Sequence, residues 1–257
     1  MNKKPQYKQK KFTNILEKYR YNLQTGNIVA GTIIYKESNG FLVIIGDQLS
    51  GYLPEEEISI DILNNVNTLI NITRDFFLIK YNTYLKQYIL SIKRLEYIRS
   101  WTRIRQIKDE NIIFKLKIKY TNKGGFLTYL ENIQAFIPKS HMSIGKKYEQ
   151  YILCKLLTIN ENKNQLVLSN KSAILEISPH KFRIGEIIYG YVIQIKSYGL
   201  FIKIYDLIAL LHISNITSKY INNIYHFFYT GELIKIKIIY IDNKQGRLSV
   251  STINIKR

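Results

Sequence analysis

The chain has 257 residues, 46% hydrophobic and 22% charged, a folded composition long enough for one or two domains. Thirty-eight Lys and Arg against nineteen Asp and Glu give a formal net charge of +19, so a polyanion is the expected partner. Its one cysteine excludes an internal disulfide framework and any multi-cysteine zinc site, and no run of eighteen apolar residues is present to cross a membrane, so no membrane partner is expected.

In chain order, residues 1–22 read as a basic tail and a short helix. Five Lys lie within the first eleven residues with no apolar h-region, which argues against a secretory signal. Phe12, Ile15, Leu16 and Tyr19 then take up helical spacing. Residues 23–94 form a strand-rich unit that holds "NGFLVIIGDQLSGYLP" (39–54), an acidic "EEE" read as a solvated loop, and a closing "QYILSIKR". Residues 95–108 predict a connecting helix whose apolar face carries Leu95, Ile98, Trp101, Ile104 and Ile107, with Trp101 as packing. Residues 109–171 hold "KGGFLTYLENIQAFIPKSHMS" (123–143), "YILCKLLTI" with Cys154 as a core thiol, and "QLVLSNKS". A linker over 172–183 is broken at Pro179, and residues 184–257 form the last unit.

The three units are copies of one another. Aligning Gly40, Gly124 and Gly199 puts Leu42, Phe126 and Phe201 two residues on. Pro54 and Pro138 follow their glycines by fourteen residues and His212 follows by thirteen. Each copy closes on an alternating strand ending in Ser, entered through Asn82, Asn160 or Asp242 as turn former. Gly26 with Gly31 and Gly185 with Gly190 open the first and third copies, where the second has Asn111 and Lys115. In the third copy "EIIYGYVIQIKS", "GLFIKI", "LIALLH", "ELIKIKIIYI" and "RLSVST" predict five strands, with a longer connection before the fourth. Ile234, Ile236 and Ile238 alternate with Lys235 and Lys237, a period of two. Five short strands with one long connection predict a closed Greek-key barrel, the OB-fold. The expected class is therefore mainly β, three tandem five-stranded OB-fold barrels joined by helical connectors.

Ile, Lys, Asn and Tyr dominate even where packing would not select them. Their codons are rich in adenine and thymine, which suggests a small AT-rich genome such as a plastid's, or a bacterium with the same bias.

The pattern "YGLF…LLHIS…D…GRLSVS" resembles the RNA-binding repeat named after S-one, the largest small-subunit ribosomal protein. Together with "GNIVAGTI", "GYLPEEEIS", "RLEYIRSWTRIRQ" and "GGFLTYLENIQAFIPKSHMS" it resembles the three-repeat S-one family of cyanobacteria and plastids, from about Phe12 to the last residues. The resemblance implies a small-subunit protein that binds single-stranded mRNA and assists translation initiation. Its partners would be mRNA, small-subunit proteins and rRNA, its compartment the plastid stroma or else a bacterial cytoplasm. It further implies an RNA face made of Tyr198, Phe201, His212 and Arg247, with Asp242 in the turn. Lys203 flanks this aromatic surface. In the second copy Lys123, Phe126, Lys139 and His141 are the candidates. In the first, Asn39, Leu42 and Pro54 depart from the pattern, with Leu42 expected to serve packing. Stacking should therefore weaken from the third copy to the first, leaving the first for protein contact.

No catalytic centre or cofactor is expected. His141, His180, His212 and His226 lack metal-ligand spacing, and there is no phosphate-binding GxxxxGK[ST] loop or GxSxG elbow. Two other roles stay open: a docking or regulatory protein acting mainly through protein contacts, and an accessory module of an RNA-decay complex.

Overall fold

The computed structural model describes residues 23–45, 49–59, 70–145, 151–217 and 223–255. The tail and short helix expected over 1–22 lie outside the described residues. The chain divides into two compact units, Met1–Arg99 and Ser100–Arg257.

In the first unit β1 (Ile28–Glu37), β2 (Gly40–Ile45), β3 (Leu49–Pro54), β4 (Thr73–Asn82) and β5 (Gln87–Ser91) close into a barrel of order β1-β2-β3-β5-β4. Alternation along each strand sends Ile33, Phe41, Val43, Leu53, Phe76, Leu78 and Leu90 inward, and these side chains are almost wholly shielded from solvent. β1 must pair with β2 and β4 at once, and a bulge between Ile33 and Tyr35 bends it to do so. Leu42, expected to pack, faces outward instead; the inward residue after Gly40 is Phe41.

The helix α1 spans Lys93–Asp109 and so runs through the division between the units. Trp101, Ile104 and Ile107 are buried in the core of the second barrel. Ile98 is 39% exposed and does not join that stripe. Its arginines hold surface carboxylates: Arg99 with Asp75 at 2.6 Å in the first unit, Arg103 with Glu131 and Arg105 with Glu161, each at 3.0 Å, in the second.

The second unit holds two barrels. β12 (Ile187–Lys196), β13 (Gly199–Ile204), β14 (Leu207–His212), β15 (Leu233–Asp242) and β16 (Arg247–Ser251) close in the same order as the first barrel. Ile234, Ile236 and Ile238 point inward, as their alternation predicts. The barrel before it is half-closed. Its strands β6 (Ile113–Lys117), β7 (Tyr120–Thr121), β8 (Gly125–Leu130), β9 (Ile133–Pro138), β10 (Tyr151–Asn160) and β11 (Gln165–Ser169) form a six-stranded sheet of order β6-β10-β11-β9-β8-β7.

The residue at the first-strand crossing differs between these repeats. Gly190 pairs with Ile234, and a Cβ there would sit 2.5 Å from the Ile202 side chain. The equivalent pair in the middle barrel is Leu116 with Ile152, not Lys115 as the spacing suggested. Leu116 packs on the core where the other repeats cross through glycine, and here the first strand is divided into β6 and β7. The buried Thr128 hydroxyl spans the break by donating to the Lys117 carbonyl at 2.7 Å.

The serine that closes each repeat has a structural task. Ser91, Ser169 and Ser251 are buried, and each bonds to the last residue of the 3-10 turn that follows the third strand. Ser91 donates to Glu57 at 2.6 Å, Ser169 lies 3.2 Å from His141 Nδ1, and Ser251 donates to the Asn215 carbonyl at 3.0 Å. The Ser169 oxygen also caps the helix α2 (Asn170–Ile177) by accepting from Ser172 N at 3.1 Å.

Candidate RNA interface

The outer surface of the third barrel is read from its pairing register. Phe201 opposes Leu210, which opposes Ser249; Lys203 opposes Ile208; Gly199 opposes His212. Phe201 and Lys203 therefore stand on the outer side of β13, while Leu200, Ile202 and Ile204 fill the core. Tyr198 precedes the strand and meets Phe201 edge to face, ring centroids 6.2 Å apart at 88°. His212 ends β14 exposed, with Nδ1 2.8 Å from the Ser214 hydroxyl, which orients the ring and leaves its other edge outward. Arg247 is exposed two residues before Ser249. The structure thus brings Tyr198, Phe201, Lys203, His212 and Arg247 to one face. Asp242, opposite Arg247, uses its carboxylate to accept from Lys244 N and Gln245 N at 3.0 Å and shapes the turn.

The second repeat departs from expectation by one residue. Gly125, not Gly124, pairs with Pro138 as Gly199 pairs with His212. The shift turns Phe126 over: it takes the place of Leu200 and packs against the core. It is therefore not an outer stacking residue. Lys123 is exposed in the loop that Asn122 Oδ1 holds through Gly124 N and Gly125 N. Lys139 is exposed, at the start of the 3-10 turn. His141 occupies the place of Asn215 rather than that of His212, three residues after Pro138. Burial, then the charges of Lys171 and Arg247, push its pKa below the usual histidine value, so it is neutral near pH 7.

Two rings that the repeat alignment missed take over the aromatic place. Phe136 lies between Leu127 and Val167, in the row that holds Phe201 in the third repeat. Tyr52 lies between Leu42 and Ile89 in the first. Each ring sits on the third strand instead of the second, across the glycine that starts the second strand. A Cβ on Gly125 would come within 2.8 Å of Phe136, and one on Gly40 within 2.7 Å of the Tyr52 hydroxyl. A shallow groove lined by Leu127, Gln134, Phe136, Gln165 and Val167 marks the same face of the second repeat. Cross-strand pairing was the missing signal, since a comparison in single file does not see a swap between neighbouring strands.

The first repeat differs in charge. Burial, then the carboxylates of Glu37 and Glu55, push the Tyr52 phenol pKa up. Glu55 pairs with Lys36 at 3.5 Å, and Glu57 holds Ser91 and Arg94, so two members of the acidic run are structural. Among the described residues no group of three or more His, Cys, Asp or Glu could hold a metal ion.

Two closed five-stranded barrels and a half-closed six-stranded repeat between them, with an aromatic and basic outer face on the third repeat, define a nucleic-acid-binding protein of OB-fold repeats. The S1 RNA binding domain family matches residues 181–253, the third barrel and its approach. The chain is 48% identical over 246 residues to small ribosomal subunit protein bS1c of Pyropia yezoensis, across 93% of this chain and 94% of that one. It is 46% identical to the bS1c protein of Porphyra purpurea, across 95% of each chain. Protein bS1A of Synechocystis is 36% identical across 94% of this chain and 75% of its own. The chain belongs to the bS1 family of small-subunit ribosomal proteins and carries an S1 RNA binding domain.

Proposed function

We propose that this protein binds single-stranded mRNA on the small ribosomal subunit and assists translation initiation in a plastid, working in the stroma and encoded in the organelle. The observation that carries the reading is the third-repeat face, where Tyr198, Phe201 and His212 offer stacking surfaces between Lys203 and Arg247. Stacking tolerates any base and the cations bind any phosphate, which suits a protein that must hold messages of many sequences. The kinship with bS1c proteins of red algae supports the ribosome and the compartment.

The first repeat is assigned to protein contact. Its ring, Tyr52, is present, yet the carboxylates of Glu37 and Glu55 beside it repel phosphate. The second repeat contributes Phe136, Lys123 and Lys139 to the RNA face.

The test is co-sedimentation of the purified protein with small ribosomal subunits, with and without an unstructured RNA leader. The protein should travel with the subunits and increase retention of the leader. Co-sedimentation without any gain in leader retention would instead favour a docking or regulatory role.

A further inference from the structure

The second and third repeats meet in one compact unit, and at their junction two cations and a histidine gather. The turn after Asp242 packs on the first turn of α2: Ser172 Oγ donates to the Lys244 carbonyl at 3.0 Å. The fit is close, since a Cβ on Gly246 would lie 2.5 Å from the Lys171 Cβ. Nearby, Ile144 N donates to the Asp206 carbonyl at 3.1 Å. His141 reaches the same place from the second repeat through Ser169, 3.2 Å away. Lys171 thus stands beside the turn that leads into Arg247, with His141 approaching from the second repeat. No carboxylate forms an ion pair with Lys171 or Arg247 among the described residues.

An arrangement that holds half-buried Lys171 beside Arg247 is costly unless an anion arrives. Burial, then Arg247, push the Lys171 pKa down. The register places the junction in line with both faces. Arg247 lies one row beyond Phe201 on the third repeat. Ser169 ends β11, the strand that borders Phe136 on the second.

We propose that the junction of the second and third repeats is a phosphate-binding site, in which Lys171 and Arg247, with His141 at its edge, clamp the backbone of one RNA strand running from the Phe201 face to the Phe136 face. This rests on the reading that those outer faces bind RNA, and it adds a site that neither repeat has alone. It makes the two repeats one continuous reader, with a footprint longer than that of a single barrel.

The test uses the full chain and two fluorescent single-stranded RNAs, a 5-mer near the short end of the roughly 4–16 nucleotides that one OB-fold covers and a 15-mer long enough to run past a barrel with a short site and cross the junction. Lys171→Gln keeps the stem that packs on Gly246 and removes the charge. It should weaken the 15-mer several-fold more than the 5-mer, and the salt slope for the 15-mer should become shallower by about 0.7, one phosphate contact. Lys171→Arg should restore both. Phe201→Ala should weaken both RNAs. If Phe201→Ala weakens binding while Lys171→Gln leaves the length discrimination and the slope unchanged, the junction site is wrong and the outer-face reading stands. If neither variant weakens binding, the outer-face reading itself fails, and the junction proposal with it. The thermal midpoint of Lys171→Gln should match or exceed that of the parent, because a repelled charge is removed. A lower midpoint with unchanged RNA binding would make Lys171 a packing residue and overturn the site.

Discussion

Phe126 and Phe201 follow similar glycine signals and have opposite fates. Phe201 stands on the outer side of its barrel, so Phe201→Ala should cost about 1–3 kcal/mol of RNA binding, read by direct titration, and little stability. Phe126 faces the core. Phe126→Ala should leave RNA binding nearly intact and lower unfolding free energy by about 3 kcal/mol in denaturant melts, the low end for a phenylalanine because it is only partly buried. Phe136→Ala should behave as Phe201→Ala does, more weakly. Cys154 is buried, and burial pushes its thiol pKa up to about 12. An unfolded cysteine ionises near 8.5, so the unfolded chain loses this proton first as pH rises. The contribution of the thiol to stability is therefore full below about pH 8.5 and disappears as pH rises towards 12. Cys154→Val should flatten part of that alkaline loss, and the parent thiol should resist alkylation at pH 8 until denaturant is added.

At the scale of the element, the closing serines join two features that look unrelated in the sequence, the last strand and the turn after the third. Ser169 bonds to His141, to Ser172 N and to the Ser172 hydroxyl at 3.0 Å. Ser169→Ala leaves the buried Ser172 N without its cap and His141 without its serine partner, and should cost about 1–3 kcal/mol, measured by thermal or urea unfolding. Element positions were largely legible in the chain: turn formers, alternation and the helical spacing around Trp101 are local signals. The register of the second repeat was not, because two adjacent glycines, Gly124 and Gly125, offer two starting points one residue apart. A one-residue slip in a strand exchanges inside for outside.

For the whole molecule, a formal charge of +19 becomes a binding site only where the fold gathers it. RNA affinity should fall steeply with salt. Contact with about six phosphates gives a slope of log K on log salt near −4, and a flat slope would remove RNA as the physiological partner. The acidic surroundings of Tyr52 and the basic surroundings of Phe201 should make the first face contribute least, through charge rather than through want of a ring. Tyr52→Ala should therefore leave RNA affinity within twofold of the parent.

The chain alone determined the repeat number, the barrel class, the basic character and the aromatic and basic residues that the third repeat gathers on one outer face. These depend on period, composition and short-range motifs, which survive in one dimension. Only the tertiary structure decided which rings share a face, that the middle repeat forms a half-closed six-stranded sheet, and that the turn before Arg247 packs on the helix that carries Lys171. Each of these depends on contacts between residues far apart in the chain. Pairing register and the meeting of two repeats set those contacts, and no local spacing encodes them.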